Sequence, residues 1–286
     1  LKIKLKSINT SGNILKYLNE IIKTKKDSNS KYLIISISPY TFLASLVLRI
    51  LGKKTYIYLR SNGFEEYRIL LGITGYITYF LMFLITSRIS NFICCNKHLL
   101  RGKKGYVVRP SQIDSDWKAN LSTPEINETK LLYVGRVRKE KGIFSLIKIL
   151  EEKNDIKFTI VGQEKDTNIE IKNKNIKILK IINEKNDLIK IYDQHNIFIL
   201  PSFTEGHPMV LLEALSRLRP VIIFNEIRHV VGNYKGVFIA DRNISSIIQK
   251  TDYIKKNYKR IQEEMRENQI PSNYDFIKDI SKILTN

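Results

Sequence analysis

The amino-acid sequence predicts an α/β protein with two domains, each built on a parallel sheet. Short apolar runs alternate with helical patterns along most of the chain, an order typical of strand–helix–strand units. The length of 286 residues is enough for two domains that each bury a core of their own. Residues 115–128 are polar and separate the two series of strands. We therefore predict an N-terminal domain at 1–120 and a C-terminal domain at 121–286.

The first domain begins with alternating lysine and apolar residues at 1–8, which indicate either a half-buried strand or a leader. Beyond it, apolar residues at helical spacing predict helices, and continuous apolar runs predict buried parallel strands. In chain order these are a helix at 14–25, a strand at 32–38, a helix at 42–51, and strands at 55–59, 91–95 and 106–109.

Residues 69–87 form a stretch of 19 residues without a charged side chain. By length this stretch could just span a bilayer. Because strand and helix patterns of one soluble fold flank it, a buried domain helix is the first interpretation. A helix docked on a membrane surface is the second, supported by the many lysines nearby, and a true span is the third.

The second domain shows the same alternation more clearly. Its predicted strands lie at 130–134, 156–161, 176–182, 197–200, 221–224 and 237–240. Its predicted helices lie at 143–150 and 187–194, in a charged region from 244 to 267, and at 274–284 after Pro271.

The charge of the chain is strongly positive and unevenly placed. The formal net charge is +20, and residues 1–120 hold 20 Lys and Arg against 6 Asp and Glu. Such a basic half suggests an acidic partner, although lysine is abundant throughout the chain. We expect contact with an anionic membrane or lipid phosphate rather than nucleic acid, because no nucleic-acid-binding module is recognisable.

The cysteines and histidines are few. Cys94 and Cys95 are adjacent, and neighbouring cysteines almost never bridge each other, so we predict no disulfide and a reducing cytoplasm. The four histidines show no ligand spacing, so no structural metal is predicted.

The most informative stretch is 200–221, where an apolar strand turns into a helix. Pro208 fits the first helical position, so the amides of Met209, Val210 and Leu211 should be first-turn donors without helical partners. Glu205 precedes the helix, and Glu213 lies eight residues further on. Two carboxylates beside a cluster of N–H groups suit a polyhydroxyl ligand that carries an anion. The alternative is an ordinary surface helix with solvated glutamates.

These residues resemble glycosyltransferase family 4. The run Glu205-Gly206-His207-Pro208 followed by Glu213 is similar to the E-x7-E signature of that family. Upstream, Tyr133-Val134-Gly135-Arg136-Val137 with Lys139, Lys141 and Gly142 resembles its VGR-x4-KG segment, and residues 158–162 resemble the strand between them.

The resemblance implies a GT-B architecture of two Rossmann-like domains, in which the last helix crosses back to the first domain. It also implies a retaining, metal-independent hexosyltransferase that uses a nucleotide-sugar as donor. It implies that Arg136 and Lys141 neutralise the diphosphate and that Glu213 accepts the ribose hydroxyls. Glu205 and the amides from His207 to Val210 would hold the donor sugar. The predicted catalytic residues are Glu205, Arg136 and Lys141. The predicted donor-binding residues are Gly135, Arg136, Lys141, Glu205, Gly206, His207, Pro208, Met209, Val210 and Glu213.

The first domain departs from the family pattern. The opening strands and the glycine-rich loop have no counterpart, so this domain is predicted to be reduced or truncated. Asn62-Gly63 stands where the family has histidine and glycine, and Arg60 and Asn62 are our predicted substitutes for that histidine. Residues 110–114 read Pro-Ser-Gln-Ile-Asp where the family has Pro-Asn-Gly-Val-Asp. Trp117 is interpreted as an interdomain packing residue.

The sequence therefore predicts a cytoplasmic glycosyltransferase at the inner face of the cell membrane. It would move a sugar from a nucleotide donor to a cell-envelope glycan or lipid-linked acceptor, without a cofactor and without a nucleic-acid partner. One alternative keeps the fold without the reaction, as a sugar-nucleotide- or glycan-binding protein. A third interpretation is a basic module that binds polyanions.

Overall fold

The computed structural model describes residues 12–24, 30–153, 155–163 and 171–285. The chain forms two compact units, one of Leu1–Pro110 with Tyr274–Asn286 and one of Ser111–Asn273. The strand or leader predicted at 1–8 lies outside the described residues. Both units contain a sheet of parallel strands, as the sequence predicted.

The first unit is a four-stranded parallel sheet in the order β1-β2-β3-β4. Its strands are β1 (Lys31–Ile35), β2 (Lys54–Leu59), β3 (Asn91–Cys94) and β4 (Gly105–Val107). Its helices are α1 (Ile14–Lys23), α2 (Pro39–Ile50) and α3 (Gly63–Ile89), together with the last helix of the chain, α9 (Asn273–Thr285). Cys94 and Cys95 are buried free thiols in its core.

Helix α2 begins three residues before the predicted start. Ser38 and Thr41 form a capping box, in which the Ser38 side chain accepts from the Thr41 N–H and the Thr41 side chain accepts from the Ser38 N–H. Pro39 occupies the first helical position, where its missing N–H removes no helical bond. The cap therefore extends the helix beyond its apolar stretch.

Helix α3 contains the uncharged stretch and is only partly buried. Gly72 has φ 66° and ψ −147°, so the helix is interrupted there and continues from residue 73 to residue 89. Its inner face packs on the core through Gly75, Tyr79, Met82, Phe83 and Thr86. Only 28% of its most apolar window is buried, and the outward apolar side chains are 40–68% exposed. The helix therefore buries one face in the core and leaves the other exposed, so the first interpretation, a buried domain helix, holds for one face only.

The second unit is a six-stranded parallel sheet in the order β10-β9-β8-β5-β6-β7. Its strands are β5 (Thr129–Val134), β6 (Ile156–Gln163), β7 (Ile176–Lys180), β8 (Ile197–Leu200), β9 (Val221–Phe224) and β10 (Val237–Ala240). Its helices are α4 (Ile143–Leu150), α5 (Lys185–Asp193), α6 (Met209–Ser216), α7 (Ile244–Lys256) and α8 (Tyr258–Met265). The strand order reverses between β5 and β8, and this switch point is where open α/β sheets bind ligands.

The two units divide about ten residues earlier than the sequence suggested, and α9 belongs to the first unit. Ile113 and Trp117 are buried in the core of the second unit, which draws residues 111–120 into it. Trp117 makes an edge-to-face contact with Tyr192, so it is a core residue of one unit. In the first unit, Phe276 of α9 stacks on Tyr58 with ring centroids 6.1 Å apart.

Two buried arginines hold the segment after Trp117 against the end of α6. Arg217, with 1% of its side chain exposed, pairs with Asp193 at 2.7 Å. The same guanidinium donates to the carbonyl oxygens of Trp117, Ala119 and Asn120 at 2.7–3.1 Å. Arg219 also pairs with Asp193, at 3.1 Å. The planar fork of arginine suits this task, since one side chain satisfies a carboxylate and several carbonyls.

We predict that Arg217→Ala lowers the free energy of unfolding by about 3–5 kcal/mol, because it leaves buried carbonyls and a carboxylate without their donor. Urea unfolding followed by circular dichroism measures this change. Arg228→Ala, at an exposed arginine, is the matched control and should change stability little. A loss below about 1 kcal/mol for Arg217→Ala would contradict this account of the segment.

Candidate functional site

The site lies in the second unit, at the carboxyl ends of β5 and β8. These two strands are neighbours in the sheet, with Leu131 opposite Ile197. The turn after β5 carries Gly135, Arg136 and Lys141, and the turn after β8 carries Glu205. The fold therefore brings the two sequence motifs together at the switch point, as expected for an open α/β sheet.

Close backbone contacts shape the turn after β5. The Gly135 N–H donates to the Val161 carbonyl at 2.9 Å. Gly162 has φ +129°, and a Cβ there would lie 2.1 Å from the Gly135 carbonyl oxygen. Only glycine fits such an approach. The Tyr133 hydroxyl donates to the Arg136 carbonyl at 2.8 Å, so the backbone of Arg136 is fixed while its side chain is exposed.

The two turns also contact each other directly. The Phe203 N–H donates to the Glu140 carbonyl at 3.0 Å. Gly142 has φ +66°, and a Cβ there would lie 1.9 Å from the Pro201 carbonyl oxygen. A side chain at residue 142 would therefore push the two turns apart.

Lys141 and Glu205 form an ion pair across this junction. Lys141 Nζ lies 2.7 Å from Glu205 Oε1, with side chains only 20% and 10% exposed. The Ser202 hydroxyl donates to the same Oε1 at 2.6 Å, and a ring nitrogen of His229 lies 2.7 Å from the Glu205 carbonyl oxygen. Two groups thus hold the carboxylate of Glu205, and His229 holds its backbone.

Arg242 supports the turn after β8 from the direction of β9 and β10. Its guanidinium donates to the Pro201 carbonyl at 3.0 Å and to Glu226 at 2.8 Å. It also lies 4.2 Å from the Phe203 ring centroid and 4.4 Å from that of Phe224. These contacts clamp the base of the turn that presents Glu205.

Helix α6 starts one residue later than predicted. Pro208 is the N-cap rather than the first helical residue, because its ψ of 116° is extended. The Leu211 N–H donates to the Pro208 carbonyl at 3.2 Å, so this amide is not an unpartnered donor as the sequence suggested. Met209 and Val210 form the first turn, next to Gly206 and His207 in the loop.

Glu213 is buried beneath the site, with 2% of the residue exposed. The Tyr192 hydroxyl donates to Glu213 Oε2 at 2.9 Å, and the Gln112 amide donates to Oε1. Burial raises the pKa of Glu213 to about 7, although both hydrogen bonds favour the ionised form. The carboxylate is therefore a strong acceptor, enclosed by two donors.

The predicted residues fall into three groups. Lys141 and Glu205 are in contact, Arg136 is on the same turn as Lys141, and Glu213 lies on the buried face of α6. Arg60 and Asn62 lie in the first unit, where Asn62 is the N-cap of α3, and their predicted donor contacts stay predictions.

Sequence reasoning missed five neighbours of the site, which are Gln112, Tyr192, Ser202, His229 and Arg242. Among the described residues, no group of three or more His, Cys, Asp or Glu could hold a metal ion.

Comparison with known proteins agrees with the GT-B fold and identifies the family. Residues 117–274, more than half of the chain, match the family described as glycosyl transferases group 1. The chain therefore belongs to the glycosyl transferases group 1 family.

Individual proteins resemble parts of the chain. This chain is 30% identical over 135 residues to the capsular polysaccharide biosynthesis glycosyltransferase CapM of Staphylococcus aureus. The match covers 42% of this chain and 35% of that protein. The chain is 33% identical over 128 residues to a candidate teichuronic acid biosynthesis glycosyltransferase, TuaC of Bacillus subtilis, covering 43% and 32%. The matched stretch is thus about a third of the length of either relative.

The fold is similar to that of Anabaena HepE in complex with UDP-glucose. The TM-score is 0.71 at 13% identity, over 95% of this chain and 81% of that one.

We predict that Glu213→Gln stabilises the second unit at pH 8 by about 3 kcal/mol and at pH 5 by less than 1 kcal/mol. The pKa of Glu213 is raised on folding, so the folded state holds its proton more tightly, and stability falls as the pH rises from about 4.5 to 7. Urea unfolding at both pH values, followed by the fluorescence of Trp117, measures the difference. Equal effects at both pH values would contradict the raised pKa.

Proposed function

We propose that this chain is the catalytic part of a retaining glycosyltransferase that uses a nucleotide-sugar donor and no metal. The observation that carries the proposal is the meeting of Lys141, Glu205 and the turn of Arg136 at the switch point of the sheet, above the buried Glu213. Membership of the glycosyl transferases group 1 family supports it.

The residues divide the work of binding the donor. Arg136 and Lys141 supply two positive charges on one turn, which suits a diphosphate leaving group. Glu205 and the first turn of α6 face the donor sugar, and Glu213 receives the ribose hydroxyls. Binding would draw Lys141 from Glu205 toward the phosphates, which exchanges one anionic partner for another.

In the reaction, an acceptor hydroxyl attacks the anomeric carbon from the face that the diphosphate leaves. The new glycosidic bond forms as the bond to the diphosphate oxygen breaks, and the departing phosphate takes the hydroxyl proton. The fixed cations stabilise the charge that develops on the leaving group. The side chains of Arg136 and Lys141 on one turn of the site suit this role.

We propose a cell-envelope glycan or a lipid-linked intermediate as the acceptor, and a hexose as the transferred sugar. The names of CapM and TuaC, which refer to capsular polysaccharide and teichuronic acid, support this class of acceptor. The UDP-glucose bound to HepE supports a nucleotide donor of the same general type.

Lys141→Ala and Arg136→Ala should each weaken nucleoside diphosphate binding by about tenfold to a hundredfold, because each removes a charge-assisted hydrogen bond. Calorimetric titration with UDP, GDP and ADP measures this, and Lys139→Ala, at an exposed lysine of the same turn, should bind normally. If none of these nucleotides binds, the proposed transferase function is excluded. Binding without turnover of any nucleotide-sugar would instead favour a sugar-nucleotide-binding protein.

We further propose that the protein is cytoplasmic and docks on an anionic membrane through the outward face of α3. That face carries a row of exposed apolar side chains at helical spacing, including Ile73 (67% exposed), Ile77 (51%) and Phe80 (45%). Arg68 and Arg88 are exposed at the two ends of the row. The positive charge of residues 1–120 adds attraction to anionic lipid.

The break at Gly72 favours docking over spanning. The uninterrupted part of α3, residues 73–89, is about 25 Å long at 1.5 Å per residue. A hydrocarbon core is about 30 Å thick. Since the opposite face of the helix packs on the sheet, only one side is available to lipid, as in a helix that lies in the interface plane.

Ile77→Glu should weaken binding to vesicles of phosphatidylglycerol and phosphatidylcholine by about tenfold or more, because it replaces an apolar side chain that enters the lipid on docking with a negative charge. Vesicle co-sedimentation measures the affinity. Ile181→Glu, at a residue of the second unit that is also 51% exposed, should bind like the wild type. Equal loss in both variants, or wild-type binding that is equal on pure phosphatidylcholine, would contradict the proposal.

A further inference from the structure

The contact between Gln112 and Glu213 joins a surface residue to the most deeply buried carboxylate of the site. Gln112 is exposed as a residue, yet its amide donates to Glu213 Oε1. The other donor to Glu213 is Tyr192, which is fully buried and packs between Trp117 and Phe198. The amide of Gln112 is therefore the solvent-facing partner of this carboxylate.

The backbone of Gln112 is fixed on both sides. The Ser111 hydroxyl donates to the Pro271 carbonyl at 2.6 Å and accepts from the Ile113 N–H at 3.1 Å. Ile113 is fully buried, and its carbonyl accepts from the Asn273 N–H at 2.9 Å. Only the side chain of Gln112 can move easily, and it has three rotatable bonds between backbone and amide.

The Gln112 amide makes the same kind of hydrogen bond to Glu213 that a ligand hydroxyl would make. A ligand hydroxyl that donates to Glu213 Oε1 needs the position that the Gln112 amide holds. Because Tyr192 closes the site from the core, such a hydroxyl must arrive from the side of Gln112. The exchange replaces one donor by another, so the buried carboxylate stays satisfied throughout.

We propose that Gln112 is a specificity-determining residue. Its amide occupies the position on Glu213 that the ribose hydroxyls take, and it moves aside when a nucleotide binds. The proposal rests on the proposed function, since it takes a nucleoside diphosphate as the ligand. It makes affinity for the ribose a competition between the amide and the hydroxyls. Ligands without the hydroxyls leave the amide where it is.

The test compares a nucleoside diphosphate with its 2′,3′-dideoxy analogue, using the nucleotide of the UDP, GDP and ADP panel that binds best. Gln112→Ala should bind the ribonucleotide about tenfold more tightly, because the competing donor is gone. Affinity for the dideoxy analogue should stay within about twofold. Gln112→Met, which keeps the length of the side chain without the donor, should change affinity in the same direction.

Calorimetry gives the affinities, and the fluorescence of Trp117, the only tryptophan of the chain, reports ligand arrival through Tyr192. Gln249→Ala, at an exposed glutamine of α7, is the matched control and should leave both affinities unchanged.

Three outcomes would overturn the proposal. Equal tightening for both ligands would show that Gln112 does not compete with the ribose hydroxyls, and unchanged affinities would show that it does not compete at all. Weaker binding of both would make Gln112 a ligand contact instead. Failure of the wild type and of both Gln112 variants to bind any nucleotide would remove the proposed function itself, a different result from intact binding that ignores residue 112.

Discussion

The close approach of two turns at the switch point is the constraint on which the site depends. Because the strand order reverses between β5 and β8, the chain leaves the sheet in two directions and opens a crevice there. The turns on its two sides touch where Gly142 meets the Pro201 carbonyl, and this contact leaves no room for a side chain. The pairing of Lys141 with Glu205 and the clamp of Arg242 both depend on that approach. Two motifs separated by 64 residues thus become one site.

The same unit places its polar groups at two depths. The side chains of Lys141 and Glu205 are partly exposed, whereas Glu213 is buried on the inner face of α6 beside Tyr192. Burial, rather than a neighbouring charge, raises the pKa of Glu213 to about 7. A ligand that reaches both depths must carry a charged part and a hydroxylated part, which is the general form of a sugar nucleotide.

Local patterns in the sequence were enough to predict the strands and to locate the motifs. Strands β8, β9 and β10 and helix α4 have the predicted bounds, because each is a short apolar run between polar or glycine turns. The neighbours of Glu213 were not predictable in this way. Gln112 lies 101 residues from Glu213 in the chain and Tyr192 lies 21, so no local periodicity connects them. The partial burial of helix α3 was not predictable either, because an apolar pattern does not show which side of a helix is covered.

The last helix of the chain has a consequence for the order in which the protein folds. Helix α9 packs in the first unit, although residues 111–273 of the second unit separate it from the rest of that unit. During synthesis the ribosome releases the second unit whole, and it can complete its core as one continuous stretch. The first unit must wait for residues 274–285 before Phe276 can cover Tyr58. Of the two units, the one whose synthesis starts earlier is therefore completed later, and its apolar surface is the one that chaperones would meet.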